Sequence, residues 1–128
     1  MLEKLEIYDL SSNLVEIKGR KEFYSEIFSE SSSKSITRKV KSIRLLLMNS
    51  NGRIYLQKRS KLKSENAGMY DKTVGGHVSA GDTFDLTVIR ECAEELGFPA
   101  VVLGASDFQR AIKVVDLSVI GVFQKIEH

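Results

Sequence analysis

Hydrophobic and polar residues alternate with two periods along the first part of the chain, and each period predicts a different element. Residues 5–10 and 14–18 alternate on either side of a polar turn, which predicts a β-hairpin. Residues 20–30 repeat their apolar positions at helical spacing, and a polar linker follows at residues 29–35. The apolar side of this short helix is predicted to carry Phe23, Ile27 and Phe28.

The pattern in the middle of the chain is typical of strands. Residues 40–48 and 53–58 predict a second hairpin, because a polar segment with Asn and Gly joins two apolar runs. Residues 72–74 predict a further strand, which gives way to a loop at Gly75 and Gly76. Backbone without a Cβ atom can bring carbonyl oxygens close to a metal ion or amides close to a phosphate.

The chain then continues into a helix with one apolar and one acidic face. At about 100° per residue, Glu91, Glu94 and Glu95 fall within about 100° of arc. Asp82 or Thr83 is the predicted N-cap of this helix. The opposite face is predicted to be apolar and consists of Phe84, Val88, Ile89, Cys92, Ala93 and Leu96.

The acidic face indicates a cation site. Three carboxylates this close repel one another, and Arg90, four residues before Glu94, offsets only part of the repulsion. A divalent cation would resolve it, and oxygen ligands at this density suit Mg²⁺ or Mn²⁺ together with a substrate phosphate. The alternative interpretation is a solvated helix face that carries charge only for solubility.

These residues match a known pattern. The stretch 76–98 resembles the Nudix box, G-x5-E-x7-R-E-U-x-E-E-x-G-U with U an aliphatic residue, the signature of a family that hydrolyses a nucleoside diphosphate linked to another moiety. Asp82 stands where the pattern has Glu, while Cys92 and Phe98 fill aliphatic positions. The spacing is kept throughout, and the matching residues are Gly76, Arg90, Glu91, Glu94, Glu95 and Gly97.

The resemblance implies an α/β fold, an α/β/α sandwich around a mixed β-sheet with the box helix on one face. It also implies a metal-dependent hydrolase in which Arg90 orients the carboxylates and one of the glutamates serves as the base. The implied ligands of Mg²⁺ or Mn²⁺ are Glu91, Glu94, Glu95 and the carbonyl of Gly76. A catalytically weak Nudix-fold binding or regulatory domain is the alternative from another class.

Residues 51–78 also resemble the branch related to isopentenyl-diphosphate isomerase. In those isomerases a catalytic cysteine precedes the Gly-His pair, but Gly75 fills that position here, so hydrolysis is favoured over an isomerase-like activity. His77 matches a metal ligand of the isomerases, and the alternative is a loop histidine that bonds the backbone. Together with Arg59, the residues Gly75, Gly76 and His77 are the candidates for substrate binding.

Composition indicates one small domain. The chain has 128 residues, 42% of them hydrophobic, which is enough for one core, so we expect an accessory hairpin and helix at 1–35 beside a Nudix core at 36–128. One cysteine excludes an internal disulfide and favours a reducing cytoplasm. No apolar run has the length of a membrane span, and the N-terminus does not begin a signal peptide.

Charge is unevenly distributed although the net charge is only +2. Residues 34–63 contain ten Lys or Arg and no Asp or Glu. Either most of them point from strands into water, or some, Arg59 first, hold the phosphates of a small-molecule diphosphate substrate. Nucleic-acid binding is disfavoured, because no aromatic residues interleave the run.

The tail after Gly97 is predicted to be short of one helix. Residues 100–103 and 114–123 offer two or three strands, and Asp107 and Asp116 are its only acids before Glu127. The chain is then naturally short, truncated, or covered by a partner subunit. An uncovered apolar face favours a homodimer, and its predicted interface consists of Val115, Leu117, Val119 and Ile120.

Overall fold

The computed structural model describes residues 3–31, 35–49, 51–62, 66–97 and 99–114. Within it the chain forms two compact units. The first combines Met1–Arg44 with Val74–Ala100, and the second combines Leu45–Thr73 with Val101–His128. No helix in the described part of the chain is long and apolar enough to cross a membrane.

The first unit begins with the predicted hairpin and helix. Strands β1 (Lys4–Asp9) and β2 (Leu14–Gly19) pair antiparallel, and β3 (Arg38–Val40) pairs with the other edge of β1. Helix α1 (Arg20–Ser31) follows β2 directly. Because β1 is central, its alternate residues Leu5 and Ile7 are fully buried and form part of the core.

The apolar face of α1 differs from the prediction. Phe23 is buried and Ile27 is half-buried, but Phe28 is 62% exposed. The guanidinium of Arg38 lies 5.7 Å from the centroid of the Phe23 ring. The buried stripe of α1 is therefore narrower than the apolar pattern indicates.

The remaining part of the first unit carries the box. Strand β4 (Ser42–Leu45) pairs with β9 (Val74–His77), and a loop leads from β9 to helix α2 (Phe84–Glu91). The prediction of a loop at Gly75 and Gly76 was wrong, because both residues lie inside β9. Their backbone is held in extended form by pairing with β4.

Helix α2 continues as a π-helical turn, Cys92–Leu96. The predicted apolar face is only partly correct: Val88 and Cys92 are buried, but Phe84 and Ile89 are 38% and 37% exposed. Thr87, which the apolar pattern left out, is fully buried. The buried side of the helix is thus centred on Thr87, Val88 and Cys92, and Ile89 lies at its rim.

The second unit contains short paired strands. β5 (Leu47–Met48) pairs antiparallel with β6 (Ile54–Tyr55), which confirms the second hairpin near its turn. β7 (Gln57–Lys58) pairs antiparallel with β8 (Tyr70–Asp71). The predicted long strand 40–48 is divided among shorter strands.

The tail contains a helix, so the prediction of strands without a helix was wrong. Helix α3 (Ala105–Val114) begins with a hydrogen bond of 2.8 Å from the Phe108 N–H to the Gly104 carbonyl. The segment 100–103 is not a strand. The rest of the predicted strand 114–123 lies outside the described residues, as do Asp116 and the predicted dimer interface.

Candidate functional site

Strand β9 packs closely at Gly76 against Glu91, the last residue of α2. A Cβ atom placed on Gly76 would lie 2.5 Å from Glu91 Oε1 and 3.0 Å from Glu91 Cγ. The Glu91 side chain is only 14% exposed. Glycine at position 76 therefore makes the space in which the carboxylate of Glu91 lies against the strand.

Arg90, the residue before Glu91, contacts three groups, one of which is the Glu91 carboxylate. Its Nη1 donates to Asp82 Oδ2 at 2.7 Å, and its Nη2 donates to the His77 carbonyl at 3.4 Å. The same Nη2 lies 3.8 Å from Glu91 Oε1. Asp82 thus reaches Arg90 although its side chain is shorter than the Glu of the family pattern. The shortest contact of Arg90 is to Asp82 and not to Glu91.

Glu91 carries a perturbed carboxyl group. Burial raises the pKa of Glu91 above its usual 4.5, the charges of Glu95 and Glu94 raise it further, and Arg90 lowers it. Glu94 and Glu95 are exposed. The three carboxylates therefore interact electrostatically, and Arg90 does not cancel their repulsion.

The donor groups of the site suit a divalent cation by their chemistry, although their arrangement in this structure is not that of a metal-binding group. The carboxylates of Glu91, which lies half-buried against Gly76, and of the exposed Glu94 and Glu95 are oxygen donors of the kind that Mg²⁺ prefers. No group of three His, Cys, Asp or Glu side chains in the described part of the chain is arranged to hold a metal ion. The repulsion between the carboxylates, which a cation would remove, is the feature of this structure that supports the fit.

Local sequence explains both ends of the box helix. Thr83 is the N-cap, as one of the two alternatives predicted, and its side chain accepts from the Leu86 N–H at 3.1 Å. Gly97 ends the π-helical turn in the left-handed region at φ 72°, with its N–H 3.1 Å from the Ala93 carbonyl. The π-helical turn changes the angular positions of Glu94 and Glu95 from those of an ideal α-helix, and such turns are frequent at functional sites.

His77 has a partner that neither prediction named. Its Nε2 shares a hydrogen bond with the Tyr24 hydroxyl, and the two rings meet edge to face with centroids 5.4 Å apart. Tyr24 belongs to α1, so the contact joins the accessory segment to β9. The imidazole thus bonds a side chain of α1, and a metal or substrate contact of His77 stays a prediction.

The N-terminal strand also contacts the loop that follows β9, which the sequence interpretation missed. Glu6 Oε1 accepts from the Gly81 N–H at 3.0 Å, and the Lys4 carbonyl accepts from the Ala80 N–H at 2.8 Å. The Ser79 hydroxyl donates to Glu3 Oε1 at 3.1 Å. No local signal in the sequence indicates these contacts, because the partners lie far apart in the chain.

Arg59, the predicted phosphate contact, lies in the second unit. Its Nη1 is 3.3 Å from Asp71 Oδ2, while Lys72 Nζ is 2.9 Å from the same oxygen. Hydrogen bonds from the Lys72 side chain and backbone are the main cause that lowers the pKa of Asp71 to about 2. Asp71 is therefore ionised at neutral pH, and a role of Arg59 toward phosphate stays a prediction.

Cys92 is buried and unpaired by any disulfide, as its position on the apolar side of the helix predicts. Burial raises the pKa of the Cys92 thiol above 9.0, and the charges of Glu95 and Glu91 add to this effect. A thiol in these surroundings is a poor nucleophile.

The fold and the box together define the class of protein. The crystal structure of DR0079 from Deinococcus radiodurans superposes with a TM-score of 0.58 and 26% identity, covering 76% of this chain and 54% of that one. A sequence model of the NUDIX domain matches residues 38–119. The chain therefore belongs to the Nudix family and has the Nudix fold, as the box predicted.

Two relatives agree with this assignment. An uncharacterized Nudix hydrolase of Nostoc sp. is 30% identical over 95 residues, which cover 74% of this chain and 51% of that protein. An uncharacterized Nudix hydrolase of Pseudomonas aeruginosa is 39% identical over 59 residues, 46% of this chain and 35% of that protein. The chain thus matches about half of these relatives' length, or less.

Proposed function

We propose that the chain is a divalent-metal-dependent hydrolase that cleaves a diphosphate linkage in a nucleoside diphosphate derivative or a similar small molecule. Nudix hydrolases generally use divalent metals such as Mg²⁺ and act on small molecules. The observation that carries the proposal is the carboxylate of Glu91, which lies against Gly76 and whose charge Arg90 offsets only in part.

Glu91, Glu94, Glu95 and the Gly76 carbonyl are the proposed ligands of Mg²⁺ or Mn²⁺. When bound, such an ion neutralises phosphate charge and lowers the pKa of a coordinated water. One of the three glutamates accepts the proton of the attacking water. The others keep the ionised form that binds cations.

Arg90 is proposed to act on the carboxylates rather than on substrate. Its contacts to Asp82 and to the His77 carbonyl fix the guanidinium beside Glu91. This arrangement restricts the rotamers that the Glu91 carboxylate can adopt, so that it is oriented before substrate binds.

The proposed substrate contacts are Arg59, Gly75, Gly76 and His77. The planar guanidinium of Arg59 suits the oxygens of a diphosphate. In strand β9, adjacent residues point to opposite faces, so Gly76 faces Glu91 while His77 faces Tyr24. That arrangement favours the backbone of His77, rather than its ring, as the part near the acidic site.

The test uses the full chain with nucleoside triphosphates, nucleotide sugars, dinucleoside polyphosphates and isopentenyl diphosphate, with and without Mg²⁺. Metal-dependent release of a nucleoside monophosphate or phosphate, abolished in Glu94→Gln, is the expected result. Binding without turnover would favour the regulatory alternative, and rearrangement of isopentenyl diphosphate without release would favour an isomerase. No binding and no turnover at millimolar metal would refute the proposal.

A homodimer and a cytoplasmic location stay predictions. The homodimer was predicted from a tail without a helix, and helix α3 removes that argument. The single buried cysteine is compatible with a reducing compartment. Light scattering on the full chain tests the dimer, which a stable monomer at tens of micromolar protein would exclude.

A further inference from the structure

The segment that joins β9 to α2 is held from one side by residues that lie outside the family match. That match begins at residue 38, whereas the contacts come from Glu3, β1 and α1. They reach the last residue of β9, His77, and three of the six residues between β9 and the box helix, which are Ser79, Ala80 and Gly81.

The contact at His77 leads directly to the acidic site. The Tyr24 hydroxyl fixes the imidazole, and the carbonyl of the same histidine accepts from Arg90 Nη2 at 3.4 Å. The same nitrogen of Arg90 lies 3.8 Å from Glu91 Oε1. A short, continuous set of contacts thus joins a side chain of α1 to the carboxylate of Glu91.

The contact at Gly81 fixes the other end of the segment. Glu6 uses Oε1 for the Gly81 N–H at 3.0 Å and Oε2 for the Tyr8 hydroxyl at 2.5 Å. Gly81 has φ +87°, a backbone conformation that favours glycine. It directly precedes Asp82 in the chain. Because Asp82 binds Arg90 at 2.7 Å, Glu6 also acts on the group that orients Arg90.

We propose that Tyr24 and Glu6 are positioning residues of the hydrolytic site, which hold Arg90 through His77 and Gly81–Asp82 and thereby orient Glu91. This inference rests on the proposed function. It makes the hairpin and helix before residue 38 part of the working site rather than an accessory beside it. Loss of either residue should therefore lower turnover more than substrate binding, because orientation of a ligand carboxylate matters most in the transition state.

The first test compares Tyr24→Phe with the matched control Tyr55→Phe in the full chain. Tyr24→Phe keeps the ring against His77 and removes one hydroxyl, whereas Tyr55 is 54% exposed in the second unit. For the substrate cleaved fastest in the panel above, we expect kcat to fall about tenfold and KM to change less than about twofold in Tyr24→Phe. Tyr55→Phe should change neither.

Glu6→Gln is the second variant and keeps the inference testable if Tyr24→Phe fails to fold. It should show the same division between kcat and KM, with faster amide hydrogen exchange at Gly81. In the double variant with Tyr24→Phe, the losses in kcat should be less than multiplicative, because both residues act on Arg90. A lower melting temperature with unchanged kcat per folded molecule would show a merely structural role and overturn the inference.

Failure of the inference and failure of the proposed function give different results. If wild type hydrolyses its substrate and Tyr24→Phe equals it, only the inference falls. If wild type binds no Mn²⁺ and cleaves nothing, the proposed function falls, and NMR of the Arg90 side chain still decides the positioning. An Arg90 signal that changes in Tyr24→Phe but not in Tyr55→Phe supports it, and an unchanged signal overturns it.

Discussion

The first unit contains two groups of three glutamates, and the groups differ in what surrounds them. Around Arg38, which is 16% exposed, Glu16, Glu26 and Glu30 lie 3.1, 2.9 and 2.6 Å from its guanidinium nitrogens. Lys18 adds a second cation 2.6 Å from Glu26. We call these five residues the Arg38 cluster. Among the described residues, Arg90 is the one cation paired with a box glutamate, and its shortest contact is to Asp82.

The pKa values move in opposite directions in the two groups. Hydrogen bonds from Lys18 and then Arg38 lower the pKa of Glu26 below 4.5. Burial, followed by the charges of Glu95 and Glu94, raises the pKa of Glu91 above it. Equal numbers of carboxylates thus produce a cluster around Arg38 whose negative charge is largely offset and a box group whose charge Arg90 offsets only in part, which favours a cation there.

The largest expected effect separates the groups by activity. Glu91→Gln and Glu95→Gln should each lower turnover by roughly 10²-fold or more, because a ligand or base is lost from the transition state. Glu30→Gln in the Arg38 cluster is the control and should retain activity per folded molecule. Steady-state kinetics with Mg²⁺ measure both. Wild-type rates in the box variants would place the chemistry elsewhere.

A divalent metal should stabilise the folded protein by binding to the box glutamates and not to the Arg38 cluster. At about 100 times its dissociation constant, Mg²⁺ or Mn²⁺ should add about 2.7 kcal/mol to the free energy of unfolding of wild type. Glu94→Gln should lose most of this gain, while Glu30→Gln should keep it. Thermal unfolding with and without metal tests this, and calorimetry that detects no divalent binding to wild type would contradict it.

Local patterns were enough to predict the elements that depend on neighbouring residues. The first hairpin, α1, the Thr83 cap and the box spacing all follow from short-range periodicity or capping. The missed helix α3 also had a local signal, since Phe108, Ala111 and Ile112 share the i, i+3, i+4 spacing of one helix face.

Long-range contacts could not be predicted in this way. Tyr24 and His77 are 53 positions apart, and Glu6 and Gly81 are 75 positions apart, so their pairing depends on the whole fold. The π-helical turn likewise has no pattern in the apolar residues of the box. The box sequence therefore does not show which residues outside it hold its side chains in place.

Gly76→Ala tests the close packing that distinguishes Glu91, whose side chain is 14% exposed, from the half-buried glutamates of the Arg38 cluster. A Cβ atom 2.5 Å from Oε1 would displace the carboxylate, so we expect about tenfold lower turnover and a loss of about 1–3 kcal/mol in stability. Gly104→Ala is the control, because nothing lies within 4 Å of a Cβ atom there. Equal effects of the two substitutions would mean that the approach at Gly76 is not required.

The smallest expected effect, a pH dependence, tests the contrast between the groups without any activity. Glu26 has a lowered folded pKa, so its stabilising contribution is complete above 4.5 and is lost as the pH falls through that lowered value. Glu91 has a raised folded pKa, so its ionised form costs stability above that value. The cost is relieved as the pH falls through the raised pKa toward 4.5.

Carboxyl titration by NMR in the absence of metal measures both groups in one sample. We expect the Glu26 midpoint below 4.5 and the Glu91 midpoint above it. Glu94→Gln should move the Glu91 midpoint down, because one repelling charge is removed, and leave Glu26 where it is. If both glutamates titrate at the same pH, the carboxylates of the box are as well compensated as those around Arg38. The electrostatic argument for a cation at the box would then be lost, whatever the activity measurements give.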